Sequence, residues 1–343
     1  ERAQSVLAEG GINAALNVMG DNDSVDEHFK DTMKGGCYLA DPAAVRNLTE
    51  NAQEIVMELI RLGVPFNKQD GHLQQRYFGG QKKRRTAFAR SSTGKVLVSA
   101  LIDEVRRYES AGLVDRFPNH TLKRLLLKET DGSTCCVGVR IKNIYTEELI
   151  DLSGPVILAA GGMNGFFPEW TTGTTQNNAL VQCIAFSQGV KFANLEMIQY
   201  HPTTIGIPGK RCLISEAARG EGGRLYVVRD GEPYYFMEEK YPELGNLMPR
   251  DIVSREMTFI TRQEGFGDTV YLDMTGLTED IWSSKLSDLR DEIIYYMNID
   301  PKSSPVPVEP GIHYFMGGIY VDERHRTSVT GLYAAGECAC QYH

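Results

Sequence analysis

The chain has 343 residues, a formal net charge of −9 and 24% charged residues. That length allows two domains or one large domain with an insertion, and the acidic balance excludes nucleic acid as a main partner, because no basic excess is available to neutralise phosphates. At 42% hydrophobic, the composition is that of an ordinary globular protein, and no apolar run reaches the ~18 residues needed to cross a bilayer. Seven cysteines, an odd and scattered set, suit a reducing compartment better than a disulfide framework. Cys338-Ala-Cys340 lacks metal-finger spacing and reads as a pair of small buried hydrophobes. The chain begins at Glu1, so the lack of a signal peptide carries no weight.

In chain order, Asp41-Pro42 predicts the start of a helix, an N-cap followed by proline at the first turn. Val45, Leu48, Ala52, Ile55, Val56, Leu59 and Ile60 fall at helical spacing on one face, and Gly63 and Pro65 stop it. The short basic run Lys82-Lys83-Arg84-Arg85 reads as a solvated loop or an anion contact. A second helix is expected from Gly94 to Ala111, with Leu97, Val98, Leu101, Ile102 and Val105 inward. Strands follow at 121–128 and 136–142, joined by an Asp131-Gly132 hairpin turn. Pro155 to Gly162 predicts a buried strand ending in two glycines, and Gly331 to Glu337 repeats the form. Glycine at the carboxyl end of a strand in an open α/β sheet lets a ligand approach the backbone, so the two ends suggest one nucleotide site built from distant segments. Two unrelated strand-to-loop turns explain the same residues equally well.

The stretch from Pro202 to Pro310 is richer in aromatic and charged residues and reads as an inserted domain, with the four prolines of 301–310 as its return linker. A complete dinucleotide-binding domain opens with G-x-G-x-x-G after its first strand. No such motif is present, and Gly10-Gly11-Ile12-Asn13 has the wrong spacing.

His201, Ser215, Glu216, Arg219, Arg250 and His313 are the candidates for chemistry. Singly, each has a structural explanation: a hydrogen-bonded histidine, an ion pair at a helix start, charges in a glycine turn. Together they make a pocket for a small dianion. Imidazoles and a hydroxyl hydrogen-bond carboxylate oxygens, arginine supplies donors and a permanent charge, and a glutamate passes protons.

The segments Gln199-Tyr-His-Pro-Thr203, Ser215-Glu-Ala-Ala-Arg-Gly-Glu-Gly-Gly223, Pro249-Arg-Asp251 and His313-Tyr-Phe-Met-Gly-Gly318 stand in an order and spacing that resembles the flavoprotein subunits of the succinate dehydrogenase/fumarate reductase family. Gly10 to Ala15, Phe78-Gly79-Gly80 and Gly336-Glu337 are similar too. The resemblance covers essentially the whole chain. It implies an α/β fold: a Rossmann-like FAD-binding domain at 1–201 and 314–343, lacking its first βαβ unit, interrupted by an α+β capping domain at 202–313. It further implies that Ser5, Gly10, Gly11, Ala160, Gly161 and Glu337 contact FAD. By the same resemblance, His201 and Ser215 hold one substrate carboxylate, and His313 holds the other with an arginine of a Gly-Ala-Asn-Arg segment beyond His343. Phe78 lines the site, Arg250 is the proton donor, and Glu216 and Arg219 form its relay.

Three positions refine the expectation. Gln4 stands where many relatives carry the histidine that attaches FAD, which implies non-covalent FAD and favours fumarate reduction. Glu9 stands where fumarate reductases often have glutamate, and Phe78 stands where L-aspartate oxidase carries a glutamate for its substrate ammonium. The resulting expectation is a fumarate reductase flavoprotein subunit. Succinate dehydrogenase is the alternative, with L-aspartate oxidase and a catalytically inert subunit behind it. The resemblance implies an iron–sulfur subunit and a quinone-reactive membrane anchor as partners, fumarate and succinate as ligands, and a cytoplasmic location, peripheral on the inner face of the membrane. The departure Asn178-Ala179-Leu180, where the family has Thr-Gly-Asp/Thr, puts contacts from that step in doubt.

Overall fold

The computed structural model describes residues 3–78, 81–90 and 92–340; Gly79, Gly80 and His343 of the motifs above lie outside the described residues. Helix α1 (Pro42–Arg61) starts as predicted: the Asp41 carboxylate accepts from Ala43 N at 2.8 Å and Pro42 occupies the first turn. Its buried stripe is narrower than expected. Val45, Thr49, Val56 and Leu59 face the core, whereas Leu48 and Ile55 are exposed. Helix α2 (Thr93–Ser110) differs more. Leu101 and Val105, expected inward, are exposed, because no described element covers that face. Its first turn is nevertheless anchored. Gly94 N donates to Ala8 O at 2.7 Å, and a Cβ on Gly94 would stand 2.0 Å from Ser5 O. Only glycine lets the 5–11 segment lie this close to the helix.

Strands β1 (His120–Thr130) and β2 (Ser133–Asn143) form the predicted hairpin, with Asp131 and Gly132 both at positive φ as a tight primed turn requires. β3 (Leu149–Ser153) completes this antiparallel sheet. β4 (Val156–Leu158) then pairs in parallel with β11 (Leu332–Ala334), in the register Leu332↔Val156 and Ala334↔Leu158. The two glycine-ended strands of distant sequence are therefore neighbours. The pair is not fully buried as expected: Ile157 is 69% exposed, since among the described residues this sheet has two strands and one open side.

Helix α3 (Leu180–Ser187) begins at the departure from the family pattern. Ala179 adopts φ 60, a left-handed conformation that disfavours a side chain, and the Asn178 carbonyl oxygen Oδ1 accepts from Leu180 N at 3.1 Å. Asn178 thus supplies an oxygen to the helix start in its own way.

A six-stranded antiparallel sheet holds β5 (Ile198–Ile207), β6 (Lys210–Leu213), β7 (Arg224–Arg229), β8 (Glu232–Tyr234), β9 (Val270–Asp273) and β10 (Val306–Phe315), in the order β6-β5-β10-β9-β7-β8. The proline-rich return is not a free linker. From Val306 onward it is a central strand, with Pro307 opposite Tyr271 and Gly311 opposite His201. A register shift in β5 between His201 and Thr204 accommodates the irregularity. Helices α4 (Arg250–Ile260) and α5 (Ser287–Met297) pack on the sheet through Val253, Met257, Ile260, Leu289 and Ile293, in one core with Leu225, Val227, Leu272 and Val306.

Candidate active site

Strands β5 and β10 carry His201 and His313 into adjacency. Their ring centroids are 5.3 Å apart at 64°. His201 is buried, with Nδ1 3.2 Å from Thr203 O. His313 Nδ1 lies 2.7 Å from Thr172 Oγ1. Burial, then the Arg250 guanidinium, push the His313 imidazole down to about 3. The same two causes, with His313 and Arg219, hold His201 well below its ordinary value. Both rings are neutral, and each binds its backbone or hydroxyl neighbour through Nδ1.

The turn after β6 supplies the carboxylate. Arg250, at the first position of α4, donates from Nε to Glu216 Oε2 at 2.8 Å and from Nη1 to Gln199 Oε1 at 2.7 Å. Arg219 lies one helical turn from Glu216 and places Nη2 3.5 Å from Oε1, while Nη1 donates to Asn246 O at 2.6 Å. Glu216 and Arg219 are both buried. Burial alone would raise the Glu216 carboxyl, but the Arg250 and Arg219 guanidiniums outweigh it and hold Glu216 below the ordinary carboxylate range. Glu216 is therefore an anion clamped between two cations. Arg219 Nε and Nη2 and Glu216 Oε1 keep no hydrogen bond of good geometry, so the chain has unused polar capacity at its inner end.

The outer end is open. A cleft of about 1440 Å³ is lined by Phe78, Gln199, Thr204, Arg211, Glu216 and Arg250, among others. His201, His313 and Ser215 are not part of its wall. Ser215 is buried, with Oγ 3.4 Å from Ala217 N. Phe78 covers Gly10, where a Cβ would stand 2.6 Å from the ring tip. Arg76, buried between Phe78 and Phe88, donates to Gly10 O at 2.6 Å.

The expected cofactor residues form a second group. Gly161 and Glu337 follow the parallel strands β4 and β11, and a Cβ on Gly162 would meet Glu337 Oε1 at 2.4 Å. Glu337 Oε1 accepts from Phe315 N at 3.0 Å, and burial raises its carboxyl to about 7. Gln182 Nε2 donates to Gly161 O at 2.6 Å. Ser5 is exposed, at the start of the turn whose carbonyls meet Gly94. Gln4 Oε1 accepts from Thr174 N at 3.2 Å. Close backbone approach at paired strand ends, and buried polar atoms without partners on Arg76 (Nε, Nη1) and Asn164 (Oδ1), fit a flavin nucleotide lying between these segments. Among the described residues, no cluster of His, Cys, Asp and Glu could hold a metal ion.

Several contributors were missed in the sequence. Gln199 sat inside a quoted motif but had no role, Asn246 lies four residues before Arg250 but was given none, and Thr172 stands far from the chemical candidates in sequence, as does Arg76. The basic run is also reassigned. Arg84 pairs with Asp21, and Arg85 lies buried between Asp23 (2.9 Å) and Asp31 (2.8 Å), so these two arginines tie 21–31 to the Thr86–Ala87 strand.

Residues 1–343 match the family described as FAD binding domain. The chain is 40% identical to a succinate dehydrogenase flavoprotein subunit of Bacillus subtilis over 100% of its own length and 59% of that protein's. It is 37% identical to a fumarate reductase flavoprotein subunit of Mycobacterium tuberculosis, over 99% of this chain and 58% of the relative. The structure is similar to that of an E. coli quinol fumarate reductase variant, with TM-score 0.86 and 30% identity over 99% of this chain and 59% of the other. The chain thus spans about three fifths of the length of the proteins it matches.

Proposed function

The chain belongs to the FAD binding domain family and is similar to succinate dehydrogenase and fumarate reductase flavoprotein subunits, and on that premise we propose that it is the dicarboxylate-handling part of a fumarate reductase flavoprotein subunit. The observation that carries this reading is the Arg250–Glu216–Arg219 chain, buried at Glu216 and Arg219, whose Arg250 end reaches the cleft beside Gln199 and Phe78. FAD, when bound, supplies the hydride that adds to one alkene carbon of fumarate. The proton for the other carbon comes from the protein, and the product is succinate.

His201 and Ser215 hold one carboxylate and His313 the other. Neutral imidazoles offer one N–H each, and a bound dianion adds the negative charge that the guanidiniums otherwise lack. Arg250 is the acid. A guanidinium holds its proton too tightly for lasting loss, so transfer must be concerted with carbon protonation and reversed at once. The adjacent Glu216 anion makes that exchange local. It accepts and returns a proton between Arg250 and Arg219, and its charge holds both guanidiniums in line. The concentrated positive charge also stabilises the negative charge that develops on the substrate during hydride addition.

FAD is bound non-covalently in this reading, because Gln4 has no nucleophilic imidazole and its amide oxygen is engaged by Thr174 N. An iron–sulfur subunit delivers electrons, and a quinone-reactive membrane subunit docks the complex on the inner face of the cytoplasmic membrane. Among the described residues, no helix of this chain is long and apolar enough to cross a membrane. Phe78 offers no partner for a substrate ammonium, which disfavours aspartate. Succinate oxidation is the second reading, favoured by the 40% identity to a succinate dehydrogenase subunit.

The test uses full-length protein. It is precipitated with acid, flavin is sought in the supernatant, and fumarate reduction by a reduced viologen is assayed in the same preparation. Free FAD with fumarate turnover supports the proposal. Flavin fixed to the protein with fast succinate oxidation supports the second reading, and absence of both flavin and turnover points to an inert subunit.

A further inference from the structure

Two buried threonines beside β10 take no part in the reaction above. A neutral imidazole carries one ring proton, and the partner of one nitrogen decides which nitrogen holds it. A carboxylate only accepts, so the nitrogen that meets it must carry the proton. At His313 the other nitrogen, Nδ1, lies 2.7 Å from Thr172 Oγ1. A hydroxyl can donate or accept there, and the surrounding network decides which. Asn164, Thr171 and Thr172 are all buried. The Thr171 hydroxyl accepts from Asn164 Nδ2 at 3.0 Å and from Gly173 N at 3.0 Å, so its own hydrogen goes to Ile312 O at 3.2 Å. Thr172 N donates to the same carbonyl at 2.9 Å. Both lone pairs of Ile312 O are then taken. That carbonyl is the competing acceptor for the Thr172 hydroxyl, and it stands farther off, at 3.5 Å. The Thr172 hydrogen is therefore left to His313 Nδ1.

We propose that Thr172 is a positioning residue that donates its hydroxyl hydrogen to His313 Nδ1, leaving the ring proton on Nε2 for a substrate carboxylate, and that Thr171 secures this direction by occupying the competing carbonyl. This rests on the reading of His313 as a carboxylate ligand. With the proton on Nδ1 instead, a bare Nε2 lone pair would face the dianion and repel it. The backbone around the ring is held by the same segment. Thr171 forms a parallel bridge with Ile312, and Asn164 Nδ2 donates to His313 O at 3.3 Å. His201 lacks a comparable lock, because its Nδ1 meets both an acceptor, Thr203 O at 3.2 Å, and a donor, Thr203 N at 3.3 Å. Thr172 therefore acts on the substrate through one imidazole and touches it nowhere.

The experiment has two readouts on full-length protein with FAD bound. In nuclear magnetic resonance spectra of nitrogen-labelled histidine, the His313 ring is assigned by its loss in His313→Ala. It is expected to show an unprotonated Nδ1 and a protonated Nε2 at neutral pH, in the parental protein and in Thr172→Ser alike. Thr172→Val keeps the shape but not the hydroxyl, and a population with the proton on Nδ1 is expected to appear in it. In calorimetric titrations with fumarate as the probe, Thr172→Val should bind at least roughly tenfold (~1.4 kcal/mol) more weakly, and Thr172→Ser as the parental protein does. A proton on Nδ1 in the parental spectrum overturns the proposal without any variant. A parental spectrum or a parental affinity in Thr172→Val also overturns it, and so does a loss that serine does not restore, which marks a packing role alone. If His313→Ala binds fumarate as tightly as the parental protein, the reading of His313 as a ligand fails and the positioning role with it, while the spectra report separately whether Thr172 sets the ring proton.

Discussion

Replacing Glu216 with glutamine keeps the shape of the relay and removes its charge. In the parental protein one buried carboxylate serves two guanidiniums, Arg250 Nε at 2.8 Å and Arg219 Nη2 at 3.5 Å. The amide leaves Arg219, 2% exposed, with the Asn246 carbonyl as its remaining hydrogen bond and with Arg250 as an unscreened neighbour. Breaking a buried ion pair by removing one partner costs about 3–5 kcal/mol. Because Arg250 is partly exposed and keeps Gln199, the lower half of that range is expected, about 3 kcal/mol. Urea unfolding of the full-length variant measures it. Loss of a general acid–base group lowers turnover about 10²–10⁴-fold, so fumarate reduction should fall within that range. Fumarate affinity, which depends on other side chains, should stay within a factor of about ten (~1.4 kcal/mol). A Glu216→Gln protein with parental unfolding free energy and near-parental turnover would refute the idea that this carboxylate organises the two arginines.

Three further outcomes concern stability. His201, His313 and His28 are all held below their ordinary value of 6.5, His28 to about 4 by burial and then Arg85. The unfolded chain takes up protons below 6.5 that these native rings refuse, so stability should fall as pH drops from 6.5, by about 1.4 kcal/mol per pH unit for each histidine. His313→Asn should show a shallower slope in urea titrations between pH 6.5 and 5. Glu9 acts in the opposite sense. Its raised carboxyl keeps a proton that the unfolded chain loses above about 4.5, so its contribution fades as pH rises towards 8, and Glu9→Gln should flatten the decline between pH 6.5 and 8 by about 2 kcal/mol. Gly94→Ala should destabilise by about 1–3 kcal/mol, because the methyl would collide with the Ser5 and Ala8 carbonyls and push the 5–11 segment off α2. Thermal unfolding of that variant checks it.

The elements whose cause is local were legible. Asp41-Pro42 capped α1 and Asp131-Gly132 turned the hairpin, because both depend on backbone chemistry within a few residues. The glycine-ended strands were also readable, and their parallel pairing brought 161–162 and 336–337 to one place. What failed depended on neighbours. Helical spacing marked Leu101 and Val105 as one apolar face of α2, but periodicity does not say whether anything covers that face. Proline content suggested a linker at 301–310, yet from Val306 the chain enters a sheet between β5 and β9, at positions where its partners tolerate the missing donors. Within the site, Arg250, Glu216, Arg219, His201 and His313 came from ordered motifs. Thr172 and Asn246 did not, since their contacts to His313 and Arg219 are made across more than 25 positions of sequence.

The central claim is that Arg250 delivers the proton to a dicarboxylate alkene. The most direct measurement is fumarate reduction by full-length Arg250→Lys, alongside its FAD content and its affinity for fumarate. Lysine keeps the positive charge but not the planar fork that reaches Glu216 and Gln199 together. The account predicts FAD and fumarate bound as in the parental protein, with turnover lower by about 10²–10⁴-fold. Parental turnover in that variant would contradict it.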